Sequence, residues 1–391
     1  MSRAGALTAK IVPRIADIAA DQWDACALAE TAKLNPFVAH AFLKALEDAG
    51  CVARGTGWTR SHIVIEDTAS RVTACMPTYV KSHSQGEYVF DHAWADAYNH
   101  AGGHYYPKLQ CAVPFTPVPG PRLLVRPGED ADARTDILVA AAKAAAQQLG
   151  VSSLHVTFLD EAAWQRLGED GFLKRTDQQF HWLNRGYATF DEFLGDLASR
   201  KRKTIRKERE QALSAGISIE LLRGAAITEA HWDAFFAFYM DTGSRKWGRP
   251  YLTREFFSLI GERMAEDILL VMAKRNGRYI AGAINFVGSD ALYGRNWGCI
   301  EDHPFLHFEV CYHQAIDFAI ERKLKVVEAG AQGEHKLARG YRPVTMHSAH
   351  YLAHPGLRNA VADYLKRERR EVERMSEYLE EHTPFRKDLA D

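Results

Sequence analysis

The spacing of apolar positions along the chain switches repeatedly between a period near 3.6 and a period near 2, which predicts alternating helices and strands. In the first half, a helix is expected over 37–50, opened by Asn35-Pro36 and closed by Gly50. The runs SHIVIED and RVTACMPTYVKS, rich in β-branched residues, read as strands joined by a short turn. The stretch 82–121 follows neither period. It is rich in aromatic residues and His and punctuated by Gly and Pro, and long irregular segments of this kind often carry function. Strand RLLV, an Ala-rich helix over 135–149, strand SLHVTF and a short helix over 161–167 follow.

The second half repeats this grammar. A helical segment over 189–216 precedes strand ISIELL, and helices follow over 231–242 and 253–264. Strands DILLVMAKR, RYIAGAINFVG and DALYGRNWG form an expected antiparallel meander. A crossover helix over 307–323 leads to strand VVEAG, and the tail over 357–380 is a charged helix. The same approximate order in both halves predicts an α/β chain with mixed sheets, built from two copies of one unit: domains 1–187 and 188–391. A meander followed by a late crossover helix is the order of a GNAT-type acyltransferase domain.

Composition narrows the classes. The 391 residues are 47% hydrophobic and 25% charged, typical of a folded globular protein. Lys plus Arg total 49 against 50 Asp plus Glu, so the chain as a whole is no basic nucleic-acid binder. The six cysteines are scattered without a CxxC pair, which reads as reduced thiols rather than a disulfide framework. With no apolar run of about 18 residues and no signal-peptide core, a cytoplasmic protein is expected.

Four segments concentrate chemistry. In Arg200–Arg209, seven of ten residues are cationic; the run reads either as a solvated helix face or as a contact for a polyanion. The loop Glu328-Ala-Gly-Ala-Gln-Gly-Glu-His-Lys336 follows a buried strand, the end at which α/β sheets gather ligands. It reads either as a polar turn or as a site in which Lys336 stabilises an oxyanion and Glu334 or His335 accepts a proton. Arg295 and Trp297 close the central strand, and Asp91, Trp94 and Lys108 are isolated polar and aromatic groups in the irregular stretch. Among 17 His, pairs such as His303/His307 have ligand-like spacing, but HExxH and Cys partners are absent and no metal is expected. GxSxG, GxxxxGK[ST] and GxGxxG are absent as well, which weakens hydrolase, P-loop and dinucleotide readings.

Together, PTYVKSHSQGEYVFDHAWADAY, YYPKLQCAVPFTPVPGPRLL, SRKRKTIRKERE, YLTREFF, LYGRNWG, LHFEVCYHQAIDFAIE and EAGAQGEHKLARGYRP resemble the FemAB-like peptidoglycan biosynthesis/recognition family of the GNAT superfamily. The resemblance implies two tandem GNAT-like domains with a cleft between them, and transfer of an acyl or aminoacyl group to an amine, with a peptidoglycan precursor as acceptor. It places Lys336 at the motif lysine, with Gly340-Tyr341 closing the stretch. Two departures stand out. His335 occupies the position where Fem-type enzymes carry Phe, and GRNWGCIEDHPFLHFE lacks the glycine-rich acyl-CoA phosphate loop. The implied co-substrate is therefore aminoacyl-tRNA or acyl-CoA, with no tightly bound cofactor. The expected roles are Lys336, Glu334 and His335 in catalysis, and Arg202 and Arg206 toward the donor. Asp91, Trp94, Lys108, Arg295, Trp297, Glu328 and Tyr341 are expected around the acceptor. The alternative is a catalytically inactive GNAT-like pair that recognises a cell-wall precursor or an RNA.

Overall fold

A computed structural model describes residues 6–28, 35–128, 130–246, 250–330 and 333–386, except the side chains of 244–246 and 334. The chain forms two compact units. The first combines Met1–Asp177 with Met346–Glu373, and the second combines Gln178–Thr345 with Arg374–Asp391. The contiguous division expected at 187/188 is thus placed at 177/178, and a late segment of the chain belongs to the first unit. Strands Leu173–Leu183 and Arg342–Leu352 and the long helix Pro355–Glu381 each run from one unit into the other.

In the first unit an antiparallel sheet runs in the order Thr8–Val12, His62–Glu66, Val72–Met76, Leu124–Val125. A second layer pairs Trp58–Arg60, Thr78–Lys81, Lys108–Cys111 and Ser153–Leu159, the last two in parallel. The late segment then adds His347–Leu352 antiparallel to Ser153–Leu159. Pro77 separates Val72–Met76 from Thr78–Lys81, so the single run RVTACMPTYVKS supplies one strand to each sheet. The Ala-rich helix Ala131–Gln148 packs its small residues with Ile63, Ile65, Leu109, Leu154 and Val156 in the core. The stretch 82–121 holds two elements absent from the apolar pattern, helix His92–His100 and strand Lys108–Cys111. That strand escapes detection because all four of its residues are buried although two are polar, so no alternation shows.

The second unit carries the expected meander in the order Ile217–Leu222, Ile268–Arg275, Arg278–Val287, Ala291–Cys299. The crossover helical stretch Leu306–Glu321 contains one π turn, Glu309–His313, and leads to strand Val326–Glu328. That strand lies parallel to Ala291–Cys299 and antiparallel to the end of Leu173–Leu183. The expected continuous helix over 189–216 is broken: Phe190–Asp196 ends and Ser199–Leu213 begins anew. At the break Leu197 turns extended and bridges Phe385, while the Ala198 amide donates to the Pro384 carbonyl. Helical periodicity carries no trace of a pairing with a segment so far along the chain.

Phe193 anchors the aromatic floor of this unit, with ring centroids 5.4 to 5.7 Å from Phe190, Trp182 and Tyr187. Phe193→Ala removes a fully buried ring and is expected to cost about 3–5 kcal/mol, read as a lowered urea midpoint.

Candidate functional site

The second unit opens its sheet at the centre. Parallel pairing between Ala291–Cys299 and Val326–Glu328 covers only three residue pairs and ends at Tyr293↔Glu328. Beyond it, the central strand continues to Cys299 paired with Arg278–Val287 alone. In that pairing Ile284 opposes Asn296 and Asn285 opposes Gly294, so Arg295 is the extra residue of a β-bulge. Bulges re-aim side chains and recur beside active sites. Gly294 sits where an added Cβ would meet the Glu328 carbonyl at 3.3 Å, which lets the two strands stay close until they part.

The 3-10 turn Glu334–Arg339 follows this opening. Lys336 is only 2% exposed and its Nζ donates to the Gly330 carbonyl at 3.0 Å. Burial brings its ammonium down to about 8, with Cys311 opposing the shift and the Arg295 guanidinium adding to it. The nearby His181, on the end of Leu173–Leu183, is brought to about 3 by burial and by the Lys336 charge. Glu328 faces His181 across the antiparallel pair and Tyr293 across the parallel one. His335 is exposed and its Nε2 lies 2.9 Å from the Tyr312 hydroxyl, within an aromatic group of Phe308 and His307. Trp297 stacks near His307 at 5.1 Å, and buried Tyr341 meets Tyr312 edge-on at 5.6 Å. Lys336, His335, Arg295, Trp297, Glu328 and Tyr341 therefore gather in one region of one unit. The backbone of Glu334 opens the same turn; its side chain lies outside the described residues.

Three residues with no motif signal complete this region. Arg339 grips both oxygens of Glu208 at 2.9 Å, donates to the His335 carbonyl at 2.8 Å, and lies over the Phe308 ring. Tyr312 holds His335. Glu309, fully buried in the π turn, receives Arg209 at 2.9 and 3.1 Å and Gln314 at 2.7 Å. Single π turns inside helices recur at functional sites. On the basic helix Ser199–Leu213, Arg206 pairs with Asp191 at 2.8 Å on the surface, and half-buried Arg202 makes no ion pair among the described residues.

Asp91, Trp94 and Lys108 lie elsewhere, inside the first unit. Lys108 is fully buried and donates to Ser84 at 2.7 Å, Glu87 at 2.6 Å and Asp91 at 2.5 Å. Tyr105 donates to the same Asp91 oxygen at 2.7 Å, and Lys81 stands 3.8 Å from the other face of Glu87. Burial disfavours charge on Lys108, but the two carboxylates outweigh it and raise its pKa. Burial likewise pushes Asp91 up, and the Lys108 ammonium prevails, holding it below the usual carboxylate range. Glu87 rises to about 7 and Lys81 falls to about 7, both chiefly through burial. Trp94 packs on the ring of His350, which shares a 2.6 Å contact with His155. The expectation that these three side chains line an open cleft is replaced by a buried network whose partners Ser84, Glu87, Tyr105 and His155 lay dispersed in the sequence.

Over residues 14–387 the chain matches the FemAB-like family, described as peptidoglycan biosynthesis/recognition. It belongs to the FemAB-like family. No curated protein matches it. Among solved structures, FemX is similar with TM-score 0.55 and 13% identity, over 88% of the FemAB-like chain and 98% of FemX. The C-terminal domain of a putative lysylphosphatidylglycerol synthetase from Agrobacterium fabrum matches with TM-score 0.52 and 9% identity, over 88% and 96%. A tandem GNAT protein from the clavulanic acid biosynthesis pathway matches with TM-score 0.47 and 12% identity, over 90% and 99%. The expected α/β fold with mixed sheets is the fold observed, and it is shared with FemX.

Two stability measurements follow from the geometry. Lys336→Met relieves a buried ammonium and is expected to stabilise the protein by about 1–2 kcal/mol near neutral pH, seen as a higher melting temperature. Because the folded pKa lies below the unfolded one, wild-type stability rises with pH between about 8 and 10.5, and Lys336→Met flattens that rise. Conversely, Asp91→Ala strips Lys108 of a buried counter-ion and is expected to cost about 3–5 kcal/mol in urea unfolding.

Proposed function

We propose that this FemAB-like protein is an N-acyltransferase that moves an acyl or aminoacyl group from an activated ester or thioester to an amine of a peptidoglycan precursor. The observation that carries the reading is the placement of Lys336. A buried lysine with a near-neutral pKa stands in a turn beside the opened edge of the central strand, next to a bulged arginine. Buried lysines shifted toward neutrality cost stability and cluster where proton transfer or charge stabilisation is needed. Membership of a family named for peptidoglycan biosynthesis/recognition supports the acceptor class.

In the proposed reaction the acceptor amine attacks the carbonyl carbon directly, with no covalent enzyme intermediate. The carbonyl π pair moves onto oxygen, and the resulting oxyanion is stabilised by the Lys336 ammonium. The amine proton passes to His335 or Glu334. Collapse of the tetrahedral adduct forms the amide and expels an alcohol or thiol, whose oxygen or sulfur regains a proton from Lys336 or water. A pKa of about 8 makes Lys336 a better proton donor to the leaving group than an ordinary lysine. Arg295, Trp297, Glu328 and Tyr341 are assigned to the acceptor side, and Arg202 and Arg206 to the donor side. Asp91, Trp94 and Lys108 act at most through the shape of the first unit. The absence of the glycine-rich phosphate loop favours aminoacyl-tRNA over acyl-CoA as donor.

Thermal-shift titration separates the donors: stabilisation by aminoacyl-tRNA alone supports the ester donor, and stabilisation by coenzyme A the thioester donor. With the substrate pair so found, Lys336→Ala is expected to lower transfer by about 10²-fold or more. Wild-type transfer is expected to fall as pH rises through about 8, and Lys336→Arg to shift that limb upward. Full activity in Lys336→Ala would sink the mechanism, and absence of transfer by the wild type with either donor would favour the recognition-only alternative.

A further inference from the structure

The basic helix Ser199–Leu213 breaks the ordinary rules at its start. Its N-cap is Ala198, with no side-chain cap, and its first turn contains no acid. Arg200, Lys201, Arg202 and Lys203 instead fill positions where the helix dipole favours negative charge. Farther along, the cations are neutralised: Arg206 by Asp191, and Arg209 by Glu309 and Asp317. No ion pair among the described residues engages Arg200 or Lys201. The positive charge left without a counter-charge is therefore concentrated at the helix N-terminus.

A pocket of about 400 Å³ runs along the flank of the helix from Arg200 to Glu208. Arg200, Lys201, Thr204 and Glu208 line it on the helix side, and Ala338 and Arg339 from the turn that carries Lys336. Its size falls within the usual range for small-molecule sites. Arg339 is only 6% exposed, and its Nε has no hydrogen-bond partner. Three cations face a single carboxylate, Glu208, so the pocket carries a net positive charge. Two exposed cations and the Arg339 guanidinium, against the one carboxylate of Glu208, form a lining that suits a phosphate.

We propose that this pocket binds a phosphate group of the acyl donor, with Arg200, Lys201 and Arg339 as its ligands. The site rests on the geometry of the second unit; only the identity of the phosphate's carrier rests on the acyl-transfer reading. The phosphate comes either from a tRNA backbone or from the pyrophosphate of coenzyme A, two sources of one chemistry. Arg339 also connects the pocket to the reaction centre, because its Nη1 holds the His335 carbonyl immediately before Lys336. An occupied pocket competes with Glu208 for Arg339 and so bears on the turn that places Lys336.

Calorimetric titration with inorganic pyrophosphate at fixed ionic strength tests the site, with coenzyme A and deacylated tRNA as competitors. Wild-type protein is expected to bind pyrophosphate. Arg200→Ala/Lys201→Ala, exposed positions whose loss leaves the core intact, is expected to weaken binding by about tenfold or more. Lys203→Ala/Lys207→Ala removes the same charge from residues outside the pocket lining and is expected to change binding by less than about threefold. Unaltered melting curves establish that both variants are folded. Displacement by tRNA assigns the ester donor and displacement by coenzyme A the thioester donor, and either supports the proposal. Absence of pyrophosphate binding, equal weakening in both double variants, or displacement by neither competitor overturns it. Acyl transfer without pyrophosphate binding would remove the pocket and leave the function standing; pyrophosphate binding without any acyl transfer would do the reverse.

Discussion

The second unit depends on a parallel strand pairing that is allowed to fail after three residues. Up to Tyr293 and Glu328 the two strands satisfy one another's backbone groups. Past that point the central strand keeps its partner on one side only, and the bulge at Arg295 bends it. Backbone groups beyond the pairing need other partners, and at the far end the Cys299 amide finds one in the Thr242 hydroxyl at 3.3 Å. The turn with Lys336, the aromatic group around His335 and the π turn beneath them all pack around this gap. Closing it with a longer Val326–Glu328 strand would give a more stable sheet and no place for chemistry.

The two units treat buried charge in opposite ways. In the first, Lys108 is surrounded by Glu87 and Asp91, with Lys81 beyond, so two cations meet two carboxylates, and the Ser84 and Tyr105 hydroxyls join the network. Such a set is neutral as a whole, and its worth lies in fixing one arrangement of the surrounding strands and helix. In the second, Lys336 meets a carbonyl and a neighbouring guanidinium rather than a counter-ion. The first arrangement keeps Lys108 charged between its two carboxylates while Lys81 is lowered to about 7, whereas the second lowers Lys336 to about 8 without a paired carboxylate.

Much of the fold is legible in the sequence. The meander, the crossover helix and the Ala-rich helix show clean periodicity because one face of each meets an apolar core. Strands Leu173–Leu183 and Arg342–Leu352 leave no such trace, because their buried positions include Arg175, Gln179, His181 and His350, each held by local polar or aromatic contacts. The site is half legible. Reactive residue types cluster visibly from Glu328 to Lys336, and this is where the structure brings Lys336, His335 and Arg295 together. Arg339 stays hidden, since its meaning depends on Glu208, 131 positions earlier. The buried role of Asp91 and Lys108 is hidden for the same reason: sequence shows charge but not who surrounds it.

The late segment Met346–Glu373 has a consequence for how the protein comes into being. It supplies a full strand to the first unit, along with Leu352, Leu357, Val361 and Leu365 to the apolar group around Trp94 and Tyr105. During synthesis the ribosome delivers the first 177 residues long before this segment emerges, so the nascent first unit waits with an unpaired strand edge and an uncovered apolar surface. The second unit likewise takes a closing piece from the residues that follow this segment. Neither core is complete until its late segment has emerged, so the two units finish their cores close together.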